Sequence, residues 1–234
     1  MNQESVHKLL IGLLIATLFV VGFNAVRLSK LDNVGSFVPA VAAAVDGPAA
    51  QVSAAPGNSE IIPKGVPAIY GKELGVSFDD VTVDDPQKAD ATIRKLGQLD
   101  QTITLSTLSA TDKERYINVA YKLENGISCE YCCGARAIIF ENGEPACGCA
   151  HSYAMRGLAK YLITKHGSEY TDEQILEEMG KWKVLFFPGI HEQKAGVLKS
   201  KGIELNYINL ASNKYRGIEK GAAGGSSGGM VGGC

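Results

Sequence analysis

Five of the six cysteines in this chain fall within 21 residues, as Ser128-Cys129-Glu130-Tyr131-Cys132-Cys133-Gly134 and then Cys147-Gly148-Cys149-Ala150-His151-Ser152. Thiols this dense either share an ion or pair with one another, and both outcomes pin distant points of the backbone together. Between the two groups, Ala137-Ile138-Ile139-Phe140 runs into Glu141-Asn142-Gly143-Glu144, an apolar run and an Asn-Gly turn that predict a β-hairpin. A helix is expected at once after the second group.

The order of knuckle, hairpin and helix resembles the treble-clef arrangement of structural zinc sites. Zinc takes four tetrahedral ligands, usually Cys or His, and Cys129, Cys132, Cys147 and Cys149 supply that number. The helix N-terminus favours a thiolate at Cys149. Cys133 and His151 remain as surplus ligands a few residues away. Soft, closely spaced thiolates suit Cu(I) as well as zinc. Two other uses of the cluster stay open. Structural disulfides are one, with Cys133 left odd unless Cys234 completes six; an iron–sulfur cluster is the other, although none of the familiar spacings is present.

The flanks carry different chemistry. Leu9 to Val26 is 18 residues without a charge, bracketed by Lys8 and Arg27, and at about 1.5 Å per residue it covers roughly the thickness of a bilayer core. It predicts one transmembrane anchor over residues 1–30, with a cleaved signal peptide as the alternative. Residues 31–66 are rich in Ala, Pro, Gly and Ser and read as a tether, a style commoner on exported proteins, so the soluble domain is expected on the extracytoplasmic side. The tail, 218–234, ends in Gly221 to Cys234 with seven glycines in 14 residues. It reads either as a disordered end or as an arm that delivers Met230 and Cys234, two sulfur ligands, to a site elsewhere.

One soluble domain of about 150 residues, 67–217, remains between tether and tail, enough to bury a core without staples. Residues 76–83 are expected as a strand. Asp85-Pro86 predicts a helix over 86–98 with Ala89, Ile93 and Leu96 inward. Thr111 to Glu114 forms a capping box opening a helix over 111–124. Met155, Leu158, Ala159, Leu162 and Ile163 mark a third helix stopped at Gly167. Thr171 to Gln174 opens a fourth whose buried stripe is Ile175, Leu176, Met179, Trp182 and Phe186, closed by Pro188. A short helix over 191–200 and a strand over 203–208 complete the reading. The fold class is α+β, mostly helical, with a β-hairpin carrying the cysteine cluster and one transmembrane helix before it.

With 23 Lys+Arg against 25 Asp+Glu the net charge is −2, which argues against a protein that coats nucleic acid. Met155 belongs to the apolar stripe of its helix. His7, His166 and His191 read as solvated. Arg156 reads as a solvent-facing salt-bridge partner, or as a charge that offsets the thiolates or binds an anion. No phosphate-cradling glycine loop, nucleophile elbow or paired carboxylates are present. The expected function is therefore that of a membrane-anchored metal-binding protein, zinc or Cu(I), exchanging its ion with a protein partner or using it to stabilise a binding domain. A tethered thiol–disulfide oxidoreductase with Cys129 and Cys132 as the redox pair is the alternative, and a domain merely stapled by metal is a third. The CxxCCG and CGC groups, Cys129 to Arg156, also resemble the uncharacterised proteins named for a PCYCGC motif. That resemblance implies metal or thiol chemistry and no more, since the cysteines here stand in two groups rather than one run.

Overall fold

In the computed structural model, which describes residues 59–220 and 230–232, Asp85 caps the helix that the sequence places there. Its carboxylate accepts from Lys88 N at 3.0 Å and Pro86 takes the first turn, where no N–H is needed. This helix runs Pro86–Thr102. We number the helices α1 Gly71–Leu74, α2 Pro86–Thr102, α3 Ala110–Ile117, α4 Ala150–His166, α5 Asp172–Phe186, α6 Pro188–Ser200 and α7 Tyr207–Ala211. The capping box at Thr171 opens α5 as its sequence predicts. At α3 the cap is instead Ser109, whose hydroxyl accepts from Asp112 N, and beyond Ile117 the helix loosens into a π turn, Asn118–Lys122. Pro188 begins α6 directly after α5, so the two helices are separated by Phe187 alone.

The core forms where α2, α4 and α5 meet. Ala89, Ile93 and Leu96 of α2 face Ala154, Met155, Leu158 and Leu162 of α4, all buried. The α2–α4 contact is backbone to backbone at Gly157: a Cβ there would lie 2.2 Å from the Leu96 carbonyl oxygen and 2.8 Å from Asp100 N. Trp182 of α5 is fully buried, packs at a tilt against Phe78 with ring centroids 5.0 Å apart and donates to the Tyr70 hydroxyl at 2.8 Å, which donates in turn to Glu178. A second apolar group unites Ile61 with Val184, Ala195, Leu198 and Leu210.

The expected β component is corrected: among the described residues there is no strand, only two isolated bridges, Ile127 to Ser212 and Ile139 to Pro145. At 76–83 the chain forms a 3₁₀ turn, Phe78–Asp80. The Ser77 hydroxyl accepts from Asp79 N and the Asp80 carboxylate from Ser77 N, and these local bonds outcompete a ladder while Val76, Phe78 and Val81 still reach the core. At 203–208 the Asn206 side chain accepts from Asn209 N and starts α7 instead. The expected hairpin contracts to a turn closed by Phe140 N to Glu144 O at 2.8 Å and Ala146 N to Ile138 O at 3.1 Å. Pro145 has no N–H to extend the pairing, and Ile138 spends its own N–H on Ile127. The treble-clef expectation loses its hairpin accordingly.

The membrane assignment is corrected as well. No helix among the described residues is long and apolar enough to cross a membrane, and the stretch expected to do so, 9–26, lies outside them, as does most of the tether.

Candidate metal centre

The chain enters the site from Ile127, whose N–H bonds the Ala120 carbonyl, and turns at Cys129, whose carbonyl accepts from both Cys132 N and Cys133 N. It returns through Cys147 and Cys149. Cys149 is the N-cap of α4: its sulfur accepts from Ser152 N at 3.4 Å and lies 3.3 Å from the Ser152 hydroxyl. An anionic sulfur is favoured there by the exposed N–H groups and the helix dipole.

The structure brings Cys129, Cys149 and His151 together. One ligand atom from each lies within 4.8 Å of the others, all three residues are buried, and the group can hold a metal ion. The Cys129 and Cys149 sulfurs are 3.4 Å apart, and Cys147 stands 3.5 Å from Cys149. Cys133 is exposed and disulfide-bonded to Cys147, and Cys132, half-buried, is not a free thiol. Four of the six expected ligands thus touch in a chain of sulfur contacts, His151 joins from the first turn of α4, and Cys132 stays out of the group of three.

Protons divide unequally in this cluster. Hydrogen bonding from Cys129 pulls the Cys149 thiol down to about 3 against the opposing effect of burial, helped by Ser152. Cys129 is pushed up by the same bond, by burial and by the neighbouring thiolate, so the pair holds one proton between two sulfurs. Behind Cys129, the buried Glu130 lies 3.8 Å from Lys183 Nζ. Burial lowers Lys183 to about 8, with Lys194 adding to the effect and Glu130 opposing it.

His151 is fully buried between the rings of Phe186 and Phe187, at 4.7 and 5.1 Å. Its Nε2 is 2.7 Å from the Val231 carbonyl oxygen. A carbonyl can only accept, so Nε2 carries a hydrogen, and in a neutral ring the lone pair then lies on Nδ1. That Nδ1 is buried and has no hydrogen-bond partner. Val231 itself is buried and donates from its backbone N to the Phe186 carbonyl at 2.9 Å.

Sequence reasoning missed Val231, although a lone aliphatic between glycines, Gly-Gly-Met-Val-Gly-Gly, was a signal that part of the tail is buried. Met230, the expected sulfur donor, is 42% exposed, and Cys234 lies outside the described residues. Three charged or polar expectations are corrected. Arg156 is fully buried rather than solvent-facing: its Nε donates to Asp100 at 3.0 Å and its Nη1 to the Cys147 carbonyl at 2.7 Å, which clamps the second cysteine group onto α2. His191 and His166 are buried, not solvated, because each finds an acceptor within its own helix or just beyond it, Phe187 O and Glu169 respectively. His7 lies outside the described residues. Met155 packs in the core as expected. No protein-family model matches the chain, and neither a curated protein nor a solved structure matches it, so the reading of the site rests on its own geometry.

Proposed function

We propose that this chain is a metal-handling protein that binds one zinc ion through Cys129 Sγ, Cys149 Sγ and His151 Nδ1, with Cys147 as the fourth ligand once its disulfide to Cys133 is reduced. The observation that carries the reading is a buried histidine whose Nδ1 has no hydrogen-bond partner and which offers a ring nitrogen within 4.8 Å of two sulfurs that stand 3.4 Å apart. A neutral imidazole held by a carbonyl at one nitrogen and open at the other is the form a metal-ligating histidine takes. Thiolates about 2.3 Å from a tetrahedral ion stand about 3.8 Å apart, whereas a linear two-thiolate ion with that bond length would set them about 4.6 Å apart. Contacts of 3.4 and 3.5 Å favour the tetrahedral case, hence zinc over Cu(I).

Exposure of Cys133 makes the fourth ligand switchable. A small-molecule dithiol would reduce the Cys133–Cys147 bond, becoming a cyclic disulfide itself and leaving two cysteine thiols. Oxidation by a disulfide would reverse the step and remove a ligand. Elemental analysis and native mass spectrometry of the full chain, reduced and then offered zinc, are the test. One zinc per chain, lost on Cys149→Ser, is expected. A folded, fully reduced chain that takes up no zinc would overturn the proposal.

A second reading has its own observation, the 3.5 Å approach of Cys149 to the disulfide-bonded Cys147. Attack of the Cys149 thiolate on Cys147 Sγ would form a 147–149 disulfide and expel Cys133 as thiolate, a thiol–disulfide exchange with no net oxidation. Turnover of a disulfide substrate by the zinc-free chain would favour it.

A further inference from the structure

The carbonyl that fixes His151 comes from a segment near the end of the chain, far from the cysteine groups in sequence, and the way it is seated gives it a role in the site. Phe186 ends α5, so its carbonyl has no partner within the helix, and Val231 N supplies the missing donor. The Val231 side chain fills a position in the main core and its carbonyl meets His151 Nε2. Gly232 follows with φ +79°. That left-handed backbone favours glycine, and a Cβ on it would stand 2.4 Å from Ile93 Cδ1 and 3.2 Å from Asp90 Oδ1, so those side-chain ends would have to shift.

We infer that residues 230–232 are a positioning element of the metal centre, in which the Val231 carbonyl selects the His151 tautomer that turns Nδ1 toward the thiolates. The inference rests on the zinc reading above. The segment contributes no ligand atom. Without it the buried imidazole has no fixed acceptor, and the Nδ1–H tautomer, which cannot ligate through Nδ1, becomes accessible. The tail then acts through a backbone oxygen rather than through the sulfur of Met230. Val231 is seated by its N–H on the Phe186 carbonyl, its own carbonyl on His151 Nε2 and its buried side chain.

Three full-length variants test this. Gly232→Ala and Val231→Asp should loosen or unseat the segment, the first by backbone strain at a left-handed φ together with the push on Ile93 and the second by the cost of burying a carboxylate. Met230→Leu keeps the volume and removes the sulfur. In competition with a chromophoric chelator, reduced Gly232→Ala and Val231→Asp should bind zinc roughly 10- to 100-fold more weakly than wild type, while Met230→Leu should match it. In the metal-free, reduced protein the ¹⁵N shifts of the His151 ring should report a single Nε2–H tautomer in wild type and a mixture in Gly232→Ala. Wild-type zinc binding with equal affinity and an unchanged tautomer in Gly232→Ala would overturn the inference while leaving the zinc site standing. Weakened binding in Met230→Leu alone would overturn it too, in favour of a sulfur ligand. If wild type takes no zinc, the zinc reading fails, and an unchanged tautomer would then overturn the positioning role as well.

Discussion

Replacing Gly157 by alanine opposes two effects whose sizes can be compared. In the middle of α4, alanine is favoured over glycine by about 1 kcal/mol because the unfolded glycine has more freedom to lose. Against that, the new methyl would sit 2.2 Å from Leu96 O, 2.8 Å from Asp100 N and 3.0 Å from Leu99 Cβ, and two of those neighbours are backbone of α2 that cannot swing aside. To restore an ordinary contact the helices must part by about 1 Å. A gap of that size forfeits between about a quarter and a half of the attraction between facing atoms, and overpacking of this kind costs about 1–3 kcal/mol; with two backbone atoms in the way the upper part of that range applies, and about 1–2 kcal/mol remains after the propensity gain. At about 2–4 °C per kcal/mol for a domain of this size, Gly157→Ala should melt between about 2 and 8 °C below wild type. The movement also draws Arg156 away from the Cys147 carbonyl, so zinc uptake should weaken with it. Gly196→Ala is the control. Gly196 lies in α6 with nothing within 4 Å of its would-be Cβ, so there the propensity term acts alone and the melting temperature should rise by about 2–4 °C. Thermal melts of the three reduced proteins by circular dichroism decide the matter. If Gly157→Ala melts at or above wild type, the close helix contact is not what glycine serves.

Arg156→Met should destabilise by roughly 3–5 kcal/mol, since it leaves Asp100 buried with Lys160 alone and frees the Cys147 carbonyl; urea titration reads the loss. Cys133→Ser should leave Cys147 a thiol and allow zinc uptake without prior reduction, measured as metal per chain in air-exposed and reduced samples. For His166, burial lowers the pKa but hydrogen bonds to Glu169 and Glu73 outweigh it, so the folded value is raised. The stability it confers is full below the unfolded value of about 6.5 and is lost as pH rises through the folded value. The melting-temperature difference between wild type and His166→Gln should therefore shrink from about pH 5.5 to about pH 8, and a difference that grows would refute the assignment.

The helices were legible because their signals are local. Asp85-Pro86 and the Thr171–Gln174 box name their own partners three residues on, and the stripe from Ile175 to Phe186 recurs at the helical period, so each predicts structure without reference to the rest of the chain. The strands failed for the same reason in reverse. A strand needs a partner that the sequence does not specify, and Ser77, Asp80 and Asn206 offer the backbone closer bonds than any distant edge could. Apolar alternation around Val76, Phe78 and Val81 correctly marked burial, but burial on one side does not distinguish a strand from a capped turn.

At the site, spacing located the chemistry and left the choice among ligands open. Cys129 and Cys132 share a tight turn, and periodicity gives no reason to prefer one to the other; what separates them is that Cys129 lies under Lys183 and α4 while Cys132 lies at the half-buried rim. Arg156 was misjudged because a charged residue among apolar ones reads as surface, whereas its partners, Asp100 and the Cys147 carbonyl, sit 56 and 9 residues away. His151 shows the limit most directly. Its neighbours in sequence make it equally a helix-capping residue or a ligand, and the deciding contact is an accepting carbonyl 80 residues further on, that of a valine whose side chain has no chemistry. A backbone acceptor leaves no mark on residue type, so a site oriented by one can be read from the fold and not from the sequence. The mark it does leave is indirect: an apolar residue where composition calls for none, beside a glycine whose backbone takes the left-handed conformation that side chains disfavour.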